Sequence, residues 1–263
     1  MPNKLLVLLN YRAGSTLFQT LCQHTPQFFD PSQKANPGET FYHLPTLPPL
    51  LATHTHSGAV LDVVKNVEED MVLMTHLGDW WGSLESRFVP GPYAGNSQNR
   101  FGPAEVRPYI DDGWKIVQLL RDGRNQIESF RKLKGGVEQK LVEADANDYF
   151  LRLCMSYRNK ARVALDCVKE YPGLYSIYKF EDLVKEPDVV LASIFGRVGY
   201  DIDRPAIMAK FEKSQKIIKA GRHTSFPKDT SFNKRSLSWT PEEKAAFVRI
   251  ARNEHTGLGY PID

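Results

Sequence analysis

Two short stretches carry residues whose types and spacing suit the holding of anions. In the first, Arg12-Ala13-Gly14-Ser15-Thr16 follows an apolar run, Leu5–Leu9, that ends in Asn10-Tyr11, and a helix-like pattern over Thr16–Gln23 takes over at once. A strand, a glycine turn and a helix start gather successive N–H groups and the positive end of the helix dipole around one point. Gly14 lets the backbone approach an anion closely, Arg12 adds a full charge, and Ser15 and Thr16 add hydroxyls. The nucleotide-triphosphate signature GxxxxGK[ST] is absent, since no glycine stands five residues before Gly14 and no lysine follows it. In the second stretch, WKIVQLLRDGRNQIESF, Arg121 stands at the carboxyl end of a strand-like run and Ser129 eight residues later on the next helix. Asp122 can cap that helix, and Asn125 and Ser129 lie one turn apart on a shared face. Two anion sites at the ends of neighbouring strands suit one ligand with phosphates at both ends.

Positioning such residues requires a particular order of elements. Short apolar runs bounded by turn or polar residues predict strands at Leu5–Leu9, Met71–Thr75, Trp114–Leu120 and Leu174–Phe180. Helical patterns lie between them: Thr16–Gln23, Ser57–Val67, Asn125–Leu133, and a long one over 143–170. Further helices are expected at Pro187–Val198, Arg204–Lys219 and Pro241–Asn253, the last opened by a capping box of Thr240 and Glu243 with Pro241 at the first helical position. Alternation of strands and helices implies an α/β fold: a single domain with a central, mostly parallel sheet flanked by helices, starting from a phosphate-loop-like strand-loop-helix. Ligands of such sheets sit at the carboxyl ends of the strands. Pro26–His56 resists assignment, and Val89–Pro108 reads as one long loop.

Composition narrows the function classes. The chain has 263 residues and a formal net charge of +3, too small an excess to argue for nucleic acid. Cys22, Cys154 and Cys167 match no metal or redox spacing, which fits a reducing compartment. The apolar part of the opening segment is too short for a signal peptide, and no run approaches a bilayer span, so a cytoplasmic protein is expected.

The motifs together resemble those of the sulfotransferase family, enzymes that use 3'-phosphoadenosine 5'-phosphosulfate (PAPS) and release the bisphosphate PAP. YRAGST resembles the family's 5'-phosphosulfate loop, and LLRDGRNQIESF its 3'-phosphate motif. YKFEDLVKEP resembles the family's Tyr-Glu-Asp segment, with Phe180 where Tyr is usual. NKRSLSWTPEEKAAF, followed by LGY, resembles the segment in which a basic residue reaches the 3'-phosphate; Lys234 or Arg235 is the candidate, although the family's Arg-Lys-Gly order is absent. VLMTHLGDWW resembles the Lys-Thr-His-Leu-Pro segment that supplies the general base, which would be His76, directly after the second strand, with Met74 for the Lys and Gly78 for the Pro.

The resemblance implies in-line sulfuryl transfer, with Arg12 and the loop N–H groups absorbing the charge of the leaving phosphate and His76 accepting the acceptor's proton. The transferred group carries one negative charge, so no metal is demanded. A rival base is a carboxylate, Asp30 or Glu39, because TPQFFDPSQ resembles a segment of bacterial sulfotransferases acting on disaccharides. His43, Trp80 and Trp81 are candidates for the acceptor pocket, with His54 and His56 in the same irregular region as His43. The expected partner is a small hydroxylated molecule, with no nucleic acid and no membrane; family members often dimerise, and no segment of the chain decides that point. Two alternatives stay open, a phosphate-loop nucleotide kinase and a non-catalytic nucleotide-binding module.

Overall fold

Strand β1, Lys4–Asn10, is buried along its whole length, as is nearly all of β3, Trp114–Leu120. Both are mostly apolar, with Lys115 and Gln118 interrupting β3, because helices cover both faces of the sheet they centre. The structure, a computed structural model, describes residues 4–10, 13–22, 71–77, 102–131, 146–219 and 239–262, with only the backbone path for 71–77 and some helix positions. Its sheet has the order β2-β1-β3-β4, where β2 is Met71–Leu77 and β4 is Tyr175–Lys179, and every pairing is parallel. In register, Leu9 of β1 lies opposite His76 of β2 and Leu119 of β3. The carboxyl ends of three strands therefore form one edge.

The pleat sends alternate residues to two cores. Leu5, Val7, Leu9, Val117 and Leu119 pack with helix α1, Ser15–Cys22, and with α5, Phe180–Lys185, and α6, Pro187–Gly196. Leu6, Leu8 and Ile116 pack on the opposite face with α2, Pro103–Asp111, and with Cys167 of the long helix α4, Ala146–Glu170. Helix α3, Gly123–Arg131, lies with α4 and with the last helix, α8, Pro241–Gly257, in a third cluster that includes Phe130, Tyr157, Trp239 and Phe247. Helix α7 is Arg204–Lys219. Each fully buried Leu or Phe contributes about 1.5–3 kcal/mol through apolar burial.

Three sequence expectations are corrected. The stretch 89–108 is not loop throughout, because α2 begins at Pro103, with the proline at the first helical position, and its Val106 and Tyr109, three residues apart, are buried. Strand β2 continues to Leu77, so His76 lies inside it; pairing with β1 runs on to Asn10 opposite Leu77 and outlasts the apolar part of the sequence. Phe180 opens α5 rather than closing β4, with Glu181 and Asp182 in the first turn, where carboxylates favour the helix dipole. The capping box of α8 is present as read: Glu243 N–H donates to Thr240 Oγ1 at 3.2 Å, and Thr240 N–H to Glu243 Oε2 at 2.9 Å. The predicted helix Ser57–Val67 and the stretch Pro26–His56 lie outside the described residues.

Lys160 of α4 is buried beside a small cavity that it lines with Gln126, Phe130, Ser156 and Tyr157. Burial alone pushes its amine from 10.5 down to about 8. Between pH 8 and 10.5 the unfolded chain therefore binds the extra proton, and stability rises with pH across that window. In urea denaturation the wild type should gain on the order of 3 kcal/mol over that window relative to Lys160→Met. Parallel stability curves for the two proteins would contradict a buried amine.

Candidate functional site

The edge where β1, β3 and β4 end is assembled by backbone and side-chain contacts that tie the strand ends together. Asn10, fully buried as the last residue of β1, donates from Nδ2 to the carbonyl of Leu119 on β3 at 3.0 Å. After it the chain turns sharply, with Ala13 N–H donating to Asn10 O at 3.1 Å. Gly14 then takes φ 89°, a left-handed conformation that side chains oppose. Helix α1 starts at once, since Phe18 N–H donates to Gly14 O at 3.0 Å. The first N–H groups of α1, which have no acceptor within the helix, thus open at the end of β1, the arrangement that binds anions.

On β3 the chain leaves the sheet through Arg121 and Asp122, both buried. Asp122 caps α3: its Oδ1 accepts from the N–H of Arg124 at 2.9 Å and from Arg124 Nε at 3.1 Å, and Oδ2 accepts from Nη2 at 2.6 Å. Asn125 and Ser129 follow on α3, buried at 1% and 9% exposure, and Asn125 Oδ1 has no hydrogen-bond partner among the described residues. Orphaned buried acceptors are uncommon, so this one suits a group that donates to it.

The glycine turn and the arginine meet on one side chain. The guanidinium of Arg121 lies over the ring of Phe180, with Cζ 4.7 Å from the centroid. The same ring presses on the turn so closely that a Cβ at Gly14 would lie 1.9 Å from Phe180 Cδ2. Phe180 is itself buried at 2% exposure. The two anion motifs are thus adjacent parts of one edge. Glu181, next on α5, accepts the backbone N–H of Asp122 on Oε1 at 3.2 Å. Burial raises its pKa, and hydrogen bonds together with the positive charge of Arg121 act the other way.

Of the residues singled out from the sequence, Ala13, Gly14, Arg121 and Ser129 are described in full, and Ser15, Thr16 and His76 by their backbone positions. Ala13 is fully buried, Ser15 and Thr16 open α1, and His76 is the penultimate residue of β2, next to the end of β1. Arg12, Asp30, Glu39, His43, His54, His56, Trp80, Trp81, Lys234 and Arg235 lie outside the described residues. Trp239 belongs to the core, edge-on to Phe150 and Phe247, with Nε1 donating to Glu128 Oε2 at 3.0 Å. Sequence reasoning missed the parts of Asn10, Glu181, His255 and Tyr260, whose contacts bridge 59 to 109 positions of the chain; it noted Phe180 only for the hydroxyl that it lacks. Among the described residues no group of three or more His, Cys, Asp or Glu is placed to hold a metal ion, and no helix is long and apolar enough to cross a membrane.

The fold recurs in solved structures. A sulfotransferase domain from the curacin biosynthetic pathway superposes with a TM-score of 0.51 at 16% identity, covering 100% of this chain and 99% of that one. The chain has the sulfotransferase fold. A sulfotransferase domain from the olefin synthase of Synechococcus PCC 7002 matches equally well, with a TM-score of 0.51, 19% identity and coverage of 99% and 96%. Mouse sulfotransferase SULT7A1, complexed with PAP, gives 0.51 at 14% identity over 98% of this chain and 88% of its own. No protein-family model matches the chain, and no curated protein does. The sulfotransferase fold supplies the parallel edge, and this chain's own residues make the contacts described above.

The close approach of Phe180 makes Gly14 intolerant of any side chain. Gly14→Ala should lose at least about 1 kcal/mol of stability in urea denaturation, from positive-φ strain plus the displaced ring. Gly14→Ala in the background of Phe180→Ala should recover part of that loss, since only the strain remains. Equal losses in both backgrounds would show that ring and glycine do not press on each other.

Proposed function

We propose that the chain is a PAPS-dependent sulfotransferase that moves a sulfuryl group to the hydroxyl of a small-molecule acceptor and releases PAP. The observation that carries this reading is the meeting of the Gly14 turn and Arg121 on the ring of Phe180, at the carboxyl ends of adjacent parallel strands. A nucleotide with phosphates at its 5' and 3' positions is the ligand class that needs two such sites side by side. The mouse relative of the same fold was solved with PAP.

In this reading Arg12, Ala13, Gly14, Ser15 and Thr16 hold the 5' end through backbone N–H groups, hydroxyls and one guanidinium. Arg121 and Ser129 take the 3'-phosphate, joined by Lys234 or Arg235. The acceptor oxygen forms a bond to sulfur as the bond from sulfur to the 5'-phosphate oxygen breaks, and the acceptor's proton passes to a base. His76 is the favoured base, since its backbone position beside the end of β1 brings it to the sheet edge that carries the loop. Asp30 is the rival. Asp30, His43, Trp80 and Trp81 are the candidates for contacts to the acceptor. Charge on the leaving phosphate is met by the loop N–H groups and Arg12, so positioning and electrostatics provide most of the catalysis.

A thermal-shift panel without metal tests the donor site. PAP should stabilise the protein, AMP and ADP should do so less, and ATP least. Stabilisation by ATP with magnesium that equals or exceeds that by PAP would favour a nucleotide kinase instead. Substitution of His76 by Ala should lower kcat by about 10²–10⁴-fold while leaving PAP affinity within about twofold. Unchanged turnover would transfer the base role to another group, and Asp30→Asn is the variant to examine next.

A further inference from the structure

The last residues of the chain return to the site from the far end of α8. Gly259 takes φ 74°, and the helix closes in a Schellman motif: Tyr260 N–H donates to His255 O at 3.1 Å and Gly259 N–H to Thr256 O at 2.8 Å. That turn folds Tyr260 back onto the His255 ring, stacked at 5.2 Å between centroids. Lys179, the last residue of β4, fixes the same turn by donating to Gly259 O at 3.1 Å and lying over the Tyr260 ring at 4.7 Å. So oriented, Tyr260 donates its hydroxyl to Glu181 Oε2 at 2.8 Å.

A connected chain of hydrogen bonds follows. Tyr260 holds one oxygen of Glu181, and the other oxygen holds the N–H of Asp122, the residue directly after Arg121. His255 secures the opposite side of the same turn. Burial lowers its pKa to about 4, so the ring is neutral near pH 7; with Nε2 3.0 Å from the Pro261 carbonyl, that nitrogen carries the proton. Nδ1 is then an acceptor, and the Tyr157 hydroxyl donates to it at 2.8 Å. The Tyr157 ring in turn lies against Gly123, where a Cβ would meet its Cε1 at 2.4 Å. Asp122 and Gly123 are thereby gripped by α4, α5 and the carboxyl-terminal tail.

We propose that Tyr260, acting through Glu181, is a positioning residue for the 3'-phosphate half of the site. This rests on the sulfotransferase reading. Glu181 is a half-buried carboxylate that interacts electrostatically with Arg121, so its orientation matters to any anion that Arg121 is to bind. With both oxygens engaged, the carboxylate is held to Asp122 N–H and Tyr260, and the turn keeps the geometry that seats Arg121 on Phe180. Without the phenolic hydroxyl, Oε2 loses its donor and the carboxylate is drawn towards the guanidinium, where it competes with an incoming phosphate.

The test is Tyr260→Phe, which keeps the ring stacked on His255 and under Lys179 and removes one hydroxyl. Tyr178→Phe, which removes an exposed hydroxyl 2.9 Å from Ser193 Oγ, is the control. Calorimetric titration of each protein with PAP and with AMP separates the two halves of the site. Tyr260→Phe should weaken PAP binding about tenfold, the scale of one hydrogen bond to a charged group, and leave AMP binding within about twofold. The control should bind both ligands as the wild type does. Equal losses for PAP and AMP, or no loss for either, would overturn the positioning role while leaving the sulfotransferase reading intact. A wild-type protein that binds AMP as tightly as PAP would overturn both.

Discussion

The ring of Phe180 touches both the Gly14 turn and the guanidinium of Arg121, and the arrangement of the site depends on that shared contact. Neither motif gains a fixed position from its own segment. The glycine turn is held at its base by Asn10, whose amide reaches across to β3, and at its tip by the ring. Arg121 leaves β3 one residue before a helix cap and lies on the same ring. A cation over an aromatic face is worth about 2 kcal/mol where water is excluded, enough to orient a long side chain that otherwise has many rotamers.

Two series of hydrogen bonds flank this contact, Asp122–Glu181–Tyr260 on one side and Tyr157–His255–Pro261 on the other. Asp122, Glu181, Tyr260, His255 and Tyr157 are each held by a partner in another segment of the chain. Buried networks of this kind are costly when incomplete and specific when complete. The turn between β3 and α3 is therefore set by residues from three other parts of the chain. Its placement is a property of the fold, while the chemistry of the edge lies in the few residues that the turn presents.

The sheet and its helices were legible where one segment carries its own signal. Trp114–Leu120 is bounded by Gly113 and Arg121, and the strand keeps those limits; Arg204–Lys219 and the Thr240 capping box are likewise local patterns. Helix α2 was not legible, because its apolar contacts reduce chiefly to Val106 and Tyr109 amid glycine and proline. The anion motifs could be read as motifs, yet their adjacency could not. Glu181 and Tyr260 are 79 residues apart, and no periodicity in either segment announces their bond. Phe180 was read for the hydroxyl it lacks relative to the family pattern. Its ring face, which makes the contacts, is a feature that only the folded chain displays.

In the sulfotransferase reading, one nucleotide spans the glycine turn and the arginine beside it. A crystal structure of the protein with PAP is the most direct measurement. The 5'-phosphate should lie on the N–H groups that open α1 and the 3'-phosphate on Arg121 and Ser129, with the nucleotide running past Phe180 between them. A nucleotide seated elsewhere, or one with its 3'-phosphate in solvent and away from Arg121, would contradict it.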